Sequence, residues 1–193
     1  KNYPEKGWVF FHSSGIIPVP LLSYCDSYAL AEDLNAVNSK GGDYRKMLSL
    51  DQWRIQIMGK AWGLTSVFIP QLRGEYVNAK NTRKLLALLL LHDVGIWSSN
   101  SDLRVIQQIE EVTMRKFGFS GAEYIGYYRE DIPVKAVGKD IYVSLYQRSD
   151  GRIMAVVANL GYKNLRTMVT FNPEKLGLEK ISRCSDLEYD FSF

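Results

Sequence analysis

As far as Gly118 the chain alternates short strand signals with helical patterns, and beyond Gly118 the helical patterns stop. Trp8-Val9-Phe10-Phe11 is continuously apolar, as expected of a strand buried on both faces of a parallel sheet. Thr65-Ser66-Val67-Phe68-Ile69, closed by Pro70, and Val94-Gly95-Ile96-Trp97 are the next strand signals. Between them, Ser49 opens a helix as the N-cap of a capping box with Gln52. Trp53, Ile57, Ala61 and Met58, Trp62 then recur at helical spacing up to Gly63. A second helix is predicted from about Thr82 to Leu91, and a third from a Ser101 cap to Gly118 with Leu103, Ile106, Ile109 and Val112 as its apolar stripe. Residues 16–48, broken by Pro18 and Pro20, read as a long loop. Strands alternating with helices imply right-handed crossovers and a parallel sheet. Three strands cannot close a barrel, which needs about eight, so the sheet is either open or part of a larger barrel.

After Gly118, Ile141–Tyr146 and Ile153–Val157 flank Ser149-Asp150-Gly151, a hairpin signal. Asn159-Leu160-Gly161 and Asn172-Pro173 mark further turns, and residues 166–171 alternate polar with apolar. The fold class is therefore α/β followed by all-β, with domains at 1–118 and 119–193. Asp186–Phe193 reads as a hairpin that lacks its return strand, so the β domain appears truncated in the sequence.

Composition removes several functions. The 24 basic and 21 acidic residues are spread through the chain, which gives no concentrated basic surface for nucleic acid. The longest apolar run, Leu85–Leu91, is too short for a bilayer span of about 20 residues. Cys25 and Cys184 form no CxxC or Cys/His cluster, so neither a zinc site nor another metal is expected, and a disulfide between them is not implied. Gly-rich phosphate loops, Gly-x-Ser-x-Gly elbows and His-Glu-x-x-His motifs are absent from the sequence, and no cofactor is expected. Lys1 as first residue reads as a processing or cloning boundary.

Three phrases occur in a telling order: Phe11-His12-Ser13-Ser14-Gly15, then Asp26 and Tyr28 followed by Glu32-Asp33, then Leu89-Leu90-Leu91-His92-Asp93-Val94-Gly95-Ile96-Trp97. Over roughly residues 8–171 the chain resembles the C-terminal half of bacterial glycoside hydrolases of the family-123-like kind. The resemblance implies the last strand–helix units of a TIM-type (β/α) barrel, then a small antiparallel β-sandwich. It further implies hydrolysis of glycosidic bonds in an oligosaccharide or polysaccharide, and a secreted or periplasmic location. Family-123 enzymes act on β-linked N-acetylgalactosamine, with the substrate acetamido group as nucleophile. Their acid and its partner form an Asp-Glu pair on an earlier barrel strand, which has no counterpart here. Glu32-Asp33 runs in reversed order, and no catalytic residue is carried over. A non-catalytic glycan-binding or structural fragment is the alternative, and a small open-sheet protein of unrelated function is a third reading. Exposed edges of a cut barrel would favour self-association.

In a (β/α) barrel the site lies at the C-terminal ends of the strands. That rule selects His12, with Ser13 and Ser14, after the first strand. His12 either bonds a sugar hydroxyl or caps the strand. In the loop that follows, Asp26, set between Tyr24 and Tyr28, is expected to touch sugar, as is Tyr28. Glu32 and Asp33 are either specificity carboxylates or a solvated acidic loop. Gln71 and Arg73 follow the second strand as hydroxyl-binding donors, with a salt bridge as the plainer role for Arg73. Trp97, with Ser98, Ser99 and Asn100, follows the third strand and offers an indole face to a pyranose ring. His92 and Asp93 precede that strand and read as a structural pair. Tyr124, Tyr127, Tyr128, Tyr142 and Tyr146 read as packing.

Overall fold

The computed structural model describes residues 7–12, 15, 18–58 and 63–189, together with the backbone of 191–192. The chain divides into two compact units, Lys1–Leu103 and Arg104–Phe193. The division falls ahead of the third helix rather than after Gly118. Phe117, at the end of that helix, belongs to a core cluster with Tyr146 and Met154 of the second unit.

The first unit is built on a parallel sheet of strands β1 (Phe10–His12), β2 (Ser27–Leu30), β3 (Thr65–Phe68) and β4 (Gly95–Ile96), hydrogen-bonded in that order. The register pairs His12 with Ala29, Ala29 with Val67, and Val67 with Gly95. Strand β2 corrects the expectation of an unbroken loop over 16–48. All four of its residues are buried, so Ser-Tyr-Ala-Leu shows no alternation that a half-exposed strand would show.

Successive strand residues point to opposite faces, and paired residues share one. Tyr28, Ser66, Leu30 and Phe68 therefore share one face, which is buried. Trp53 stacks on Phe68 at 5.5 Å and Tyr44 meets it edge-on at 5.1 Å. A short helix α1 (Val19–Leu22) precedes β2, and Trp53 begins the wide turn Trp53–Ile57 that continues helix α2 (Leu50–Gln52). The capping box is present: Ser49 Oγ accepts from the Gln52 amide at 3.3 Å, and Gln52 Oε1 from the Ser49 amide at 2.9 Å. The α3 helix (Ala79–Leu91) begins at an Asn78 N-cap and buries Leu85, Leu86, Leu88, Leu89 and Leu91. Each such side chain contributes about 1.5–3 kcal/mol of apolar burial. Ala61 and Trp62 lie outside the described residues.

The opposite face, carrying Phe10, His12, Ala29, Val67 and Gly95, is open along β1 and β4, although Ala29 on β2 is buried. Phe10 is 44% exposed and Trp97, two residues beyond Gly95, is 50% exposed. The Trp97 amide donates to the Phe68 carbonyl at 2.8 Å and extends the β3–β4 ladder.

In the second unit, α4 (Leu103–Glu110) runs on through Glu111–Phe117 and stops at Gly118, whose φ of 78° suits a residue without Cβ. Ser101 does not cap this helix with an acceptor: its hydroxyl donates to the Ser98 and Ser99 carbonyls. Antiparallel strands β5 (Glu123–Ile125), β7 (Ile141–Gln147) and β8 (Ile153–Asn159) form one sheet, and β6 (Val134–Ala136) with β9 (Val169–Phe171) a second. Ile125, Val134, Val143, Leu145 and Leu176 form a core drawn from both, which makes the unit sandwich-like. Tyr146 packs with Phe119 and Tyr124 on the other side of β7. The expected missing return strand is present: β10 (Ser185–Asp186) pairs antiparallel with β11 (Phe191–Ser192).

Candidate functional site

His12 ends β1 and Glu32 stands two residues beyond β2. Because β1 and β2 are adjacent and parallel, both lie at the C-terminal edge of the sheet, and His12 Nε2 sits 2.9 Å from Glu32 Oε2. Their side chains are 50% and 38% exposed, so the pair is accessible to a ligand. Asp33 belongs to the same edge, since a Cβ placed on Gly15 would stand 3.2 Å from its Cβ. Trp97 follows β4, and its ring lies 6.2 Å from that of Phe10 on β1. Asn100 donates to the Pro70 carbonyl at 3.0 Å and ties the loop after β4 to the one after β3. Ser13 and Ser14 lie outside the described residues.

Two other expected positions, Asp26 and Tyr28, are placed differently, while Gln71 and Arg73 follow β3 as expected. Asp26 precedes β2 and caps the opposite edge: its Oδ2 accepts from the Val9 amide at 2.8 Å. It therefore stands at the N-terminal end of the strands, away from His12. Tyr28 lies within β2 rather than in a loop and is 1% exposed on the covered face. Burial there pushes its hydroxyl up to about 12 and leaves it without a hydrogen-bond partner. Gln71 is 6% exposed, with its amide donating to Tyr44 Oη at 2.6 Å. Arg73 donates to Gln71 Oε1 at 3.0 Å and to the Leu72 carbonyl at 2.9 Å, in place of the expected salt bridge. Gln71 and Arg73 thus satisfy each other and the loop backbone.

His92 is fully buried and stacks on Trp53 at 5.5 Å. Its Nδ1 donates to the Leu88 carbonyl at 2.6 Å. Burial holds it down to about 4, against the Leu88 bond, which favours the proton, while the Arg54 charge adds to the lowering. His92 is neutral, and with Asp93 at φ 56° it turns the chain from α3 into β4.

The sequence reading passed over Asp43. It is 3% exposed and accepts from Arg45 at 2.8 and 2.5 Å and from Lys84 at 3.3 Å. Burial alone would raise it, but the hydrogen bonds and charge of Arg45, with Lys84, hold it at about 2. Gly42 makes this closure possible, because a side chain there would collide with Asn81 of α3. The triad joins the segment after β2 to α3 and is structural. A pair of free carboxylates facing each other across a ligand-sized gap is not formed by Asp26, Glu32 and Asp43, each of which is engaged where it stands.

The second unit has a clearer relative. Residues 108–184 match the family model of the glycoside hydrolase 123, C-terminal domain. The chain thus carries a segment that resembles the C-terminal region of glycoside hydrolase family 123. The match runs from the last residues of α4 to the residue before β10 and covers both sheets of the sandwich-like unit. His12, Glu32 and Trp97 lie outside it. No curated protein and no solved structure matches the chain. Among the described residues no three His, Cys, Asp or Glu side chains gather as a metal site, and no helix is long and apolar enough to cross a membrane. Both cysteines are free.

Proposed function

We propose that the chain is part of a carbohydrate-active protein of the glycoside hydrolase type, and that the open face of its parallel sheet forms one wall of a sugar pocket. The observation that carries this reading is the pair of half-exposed rings, Phe10 and Trp97, on the same open face as the accessible His12–Glu32 pair. Aromatic faces receive the C–H face of a pyranose, and polar groups beside them bind its hydroxyls. Strands hydrogen-bonded in chain order, all parallel, are the arrangement of consecutive strands in a (β/α) barrel. The C-terminal edge of such strands is where barrel enzymes bind substrate. A secreted or periplasmic location goes with this reading.

A specific observation favours a second reading for the isolated chain, as a glycan-binding piece without turnover. Hydrolysis that does not use a substrate acetamido group needs two carboxylates across the bond, and Glu32 is bound to His12 while Asp26 lies at the opposite sheet edge. The test is reducing-sugar release from a glycan panel that includes an aryl β-N-acetylgalactosaminide, with Glu32→Gln as control. No turnover is expected with either protein, and binding is expected as a change in tryptophan fluorescence. Turnover that vanishes in the control overturns the second reading; absence of both turnover and binding counts against the first.

A further inference from the structure

We propose that Glu32 is a positioning residue for His12, fixing the imidazole so that Nδ1 accepts a hydrogen bond from a hydroxyl of the bound sugar. The inference rests on the sugar-pocket reading and assigns a polarity within it. An ionised carboxylate only accepts hydrogen bonds. At 2.9 Å from Glu32 Oε2, Nε2 must therefore carry the proton. A neutral ring protonated at Nε2 bears a lone pair at Nδ1, and among the described residues nothing in the structure bonds to Nδ1 of His12. His12 shares its sheet face with Phe10, two residues before it. The ring is thus an oriented acceptor beside an aromatic surface. A half-exposed hydrogen bond such as His12–Glu32 adds little to stability, so its consequence is the direction it gives the imidazole.

The chain's other histidine sets the opposite case. His92 Nδ1 faces the Leu88 carbonyl at 2.6 Å and must carry the proton itself. With two histidines in the sequence, each tautomer serves as the other's control.

The experiment is long-range proton–nitrogen NMR of the full chain above the histidine titration range, alone and with cellotetraose, xylotetraose, mannotetraose and N,N′-diacetylchitobiose as probes. The expected spectrum has His92 protonated at Nδ1 and His12 at Nε2, and the bare His12 Nδ1 resonance moves on adding a sugar that also moves the Trp97 indole signal. Glu32→Ala should mix the His12 tautomers and weaken that sugar by about fivefold, the loss of one oriented hydrogen bond, while His92 keeps its tautomer. Glu32→Gln keeps the side-chain shape, and its amide, free to donate, should shift His12 toward the Nδ1–H form. A wild-type His12 protonated at Nδ1 overturns the proposal without any sugar present. Movement of Trp97 with a stationary His12 Nδ1 overturns it and leaves the pocket standing. Stillness at both residues with every probe removes the pocket reading and the proposal together.

Discussion

The rings of Phe10 and Trp97 lie 6.2 Å apart, although Phe10 belongs to the first strand of the parallel sheet and Trp97 follows the fourth. In a flat sheet, three strand spacings would keep such side chains about 14 Å apart. The two side chains therefore lean toward each other across strands β2 and β3. The face they share is opposite to the one on which Tyr28 and Phe68 are buried. The parallel pairing brings Trp97 to the part of the sheet that holds Phe10 and the His12–Glu32 pair, although Trp97 is distant from them in sequence.

Replacing Trp97 by Ala should lower sugar affinity by about 5- to 10-fold, the size of one aromatic stacking contact. Because half of the side chain is already exposed, the melting temperature should change little. Isothermal titration beside a thermal melt checks both. A large loss of stability would make Trp97 a packing residue instead.

Asp43→Asn should destabilise the first unit by about 3–5 kcal/mol, since Arg45 and Lys84 lose the buried carboxylate that neutralises them. Urea unfolding followed by the signal of the buried Trp53 measures it. The folded carboxyl is held at about 2 against an ordinary 3.8. Its contribution is therefore present above pH 3.8 and lost as pH falls toward 2, on the order of 2 kcal/mol.

His92 acts in a different window. Burial lowers it from 6.5 to about 4, so between these values the unfolded chain binds the proton and the folded one does not. Stability is full above pH 6.5 and declines as pH falls to about 4, by on the order of 3 kcal/mol. His92→Leu should flatten the slope of stability against pH in that interval, whatever it does to stability at pH 8. An unchanged slope would contradict the assignment.

Local signals in the sequence led to correct elements where a few neighbouring residues decide the structure. Ser49 and Gln52 cap as their spacing requires, and Ser149-Asp150-Gly151 sits in the turn between β7 and β8. Strand β2 was missed because a strand buried on both faces has no period to detect, and Ser27-Tyr28-Ala29-Leu30 carries no β-branched residue. With β2 unseen, Asp26 and Glu32 looked like members of one loop. They stand at opposite ends of a strand, and only Glu32 reaches His12. The meeting of Phe10 with Trp97 depends on strand order and side-chain reach, which no local pattern encodes.

The most direct measurement is the map of amide and side-chain NMR shifts on titrating the full chain with the oligosaccharide it binds best. The perturbed residues are expected to be Phe10, His12, Glu32, Trp97 and their neighbours at the C-terminal edge of the sheet. Perturbations confined to the second unit, at tyrosines such as Tyr127, Tyr128 and Tyr142, would contradict this and move the sugar site to the sandwich.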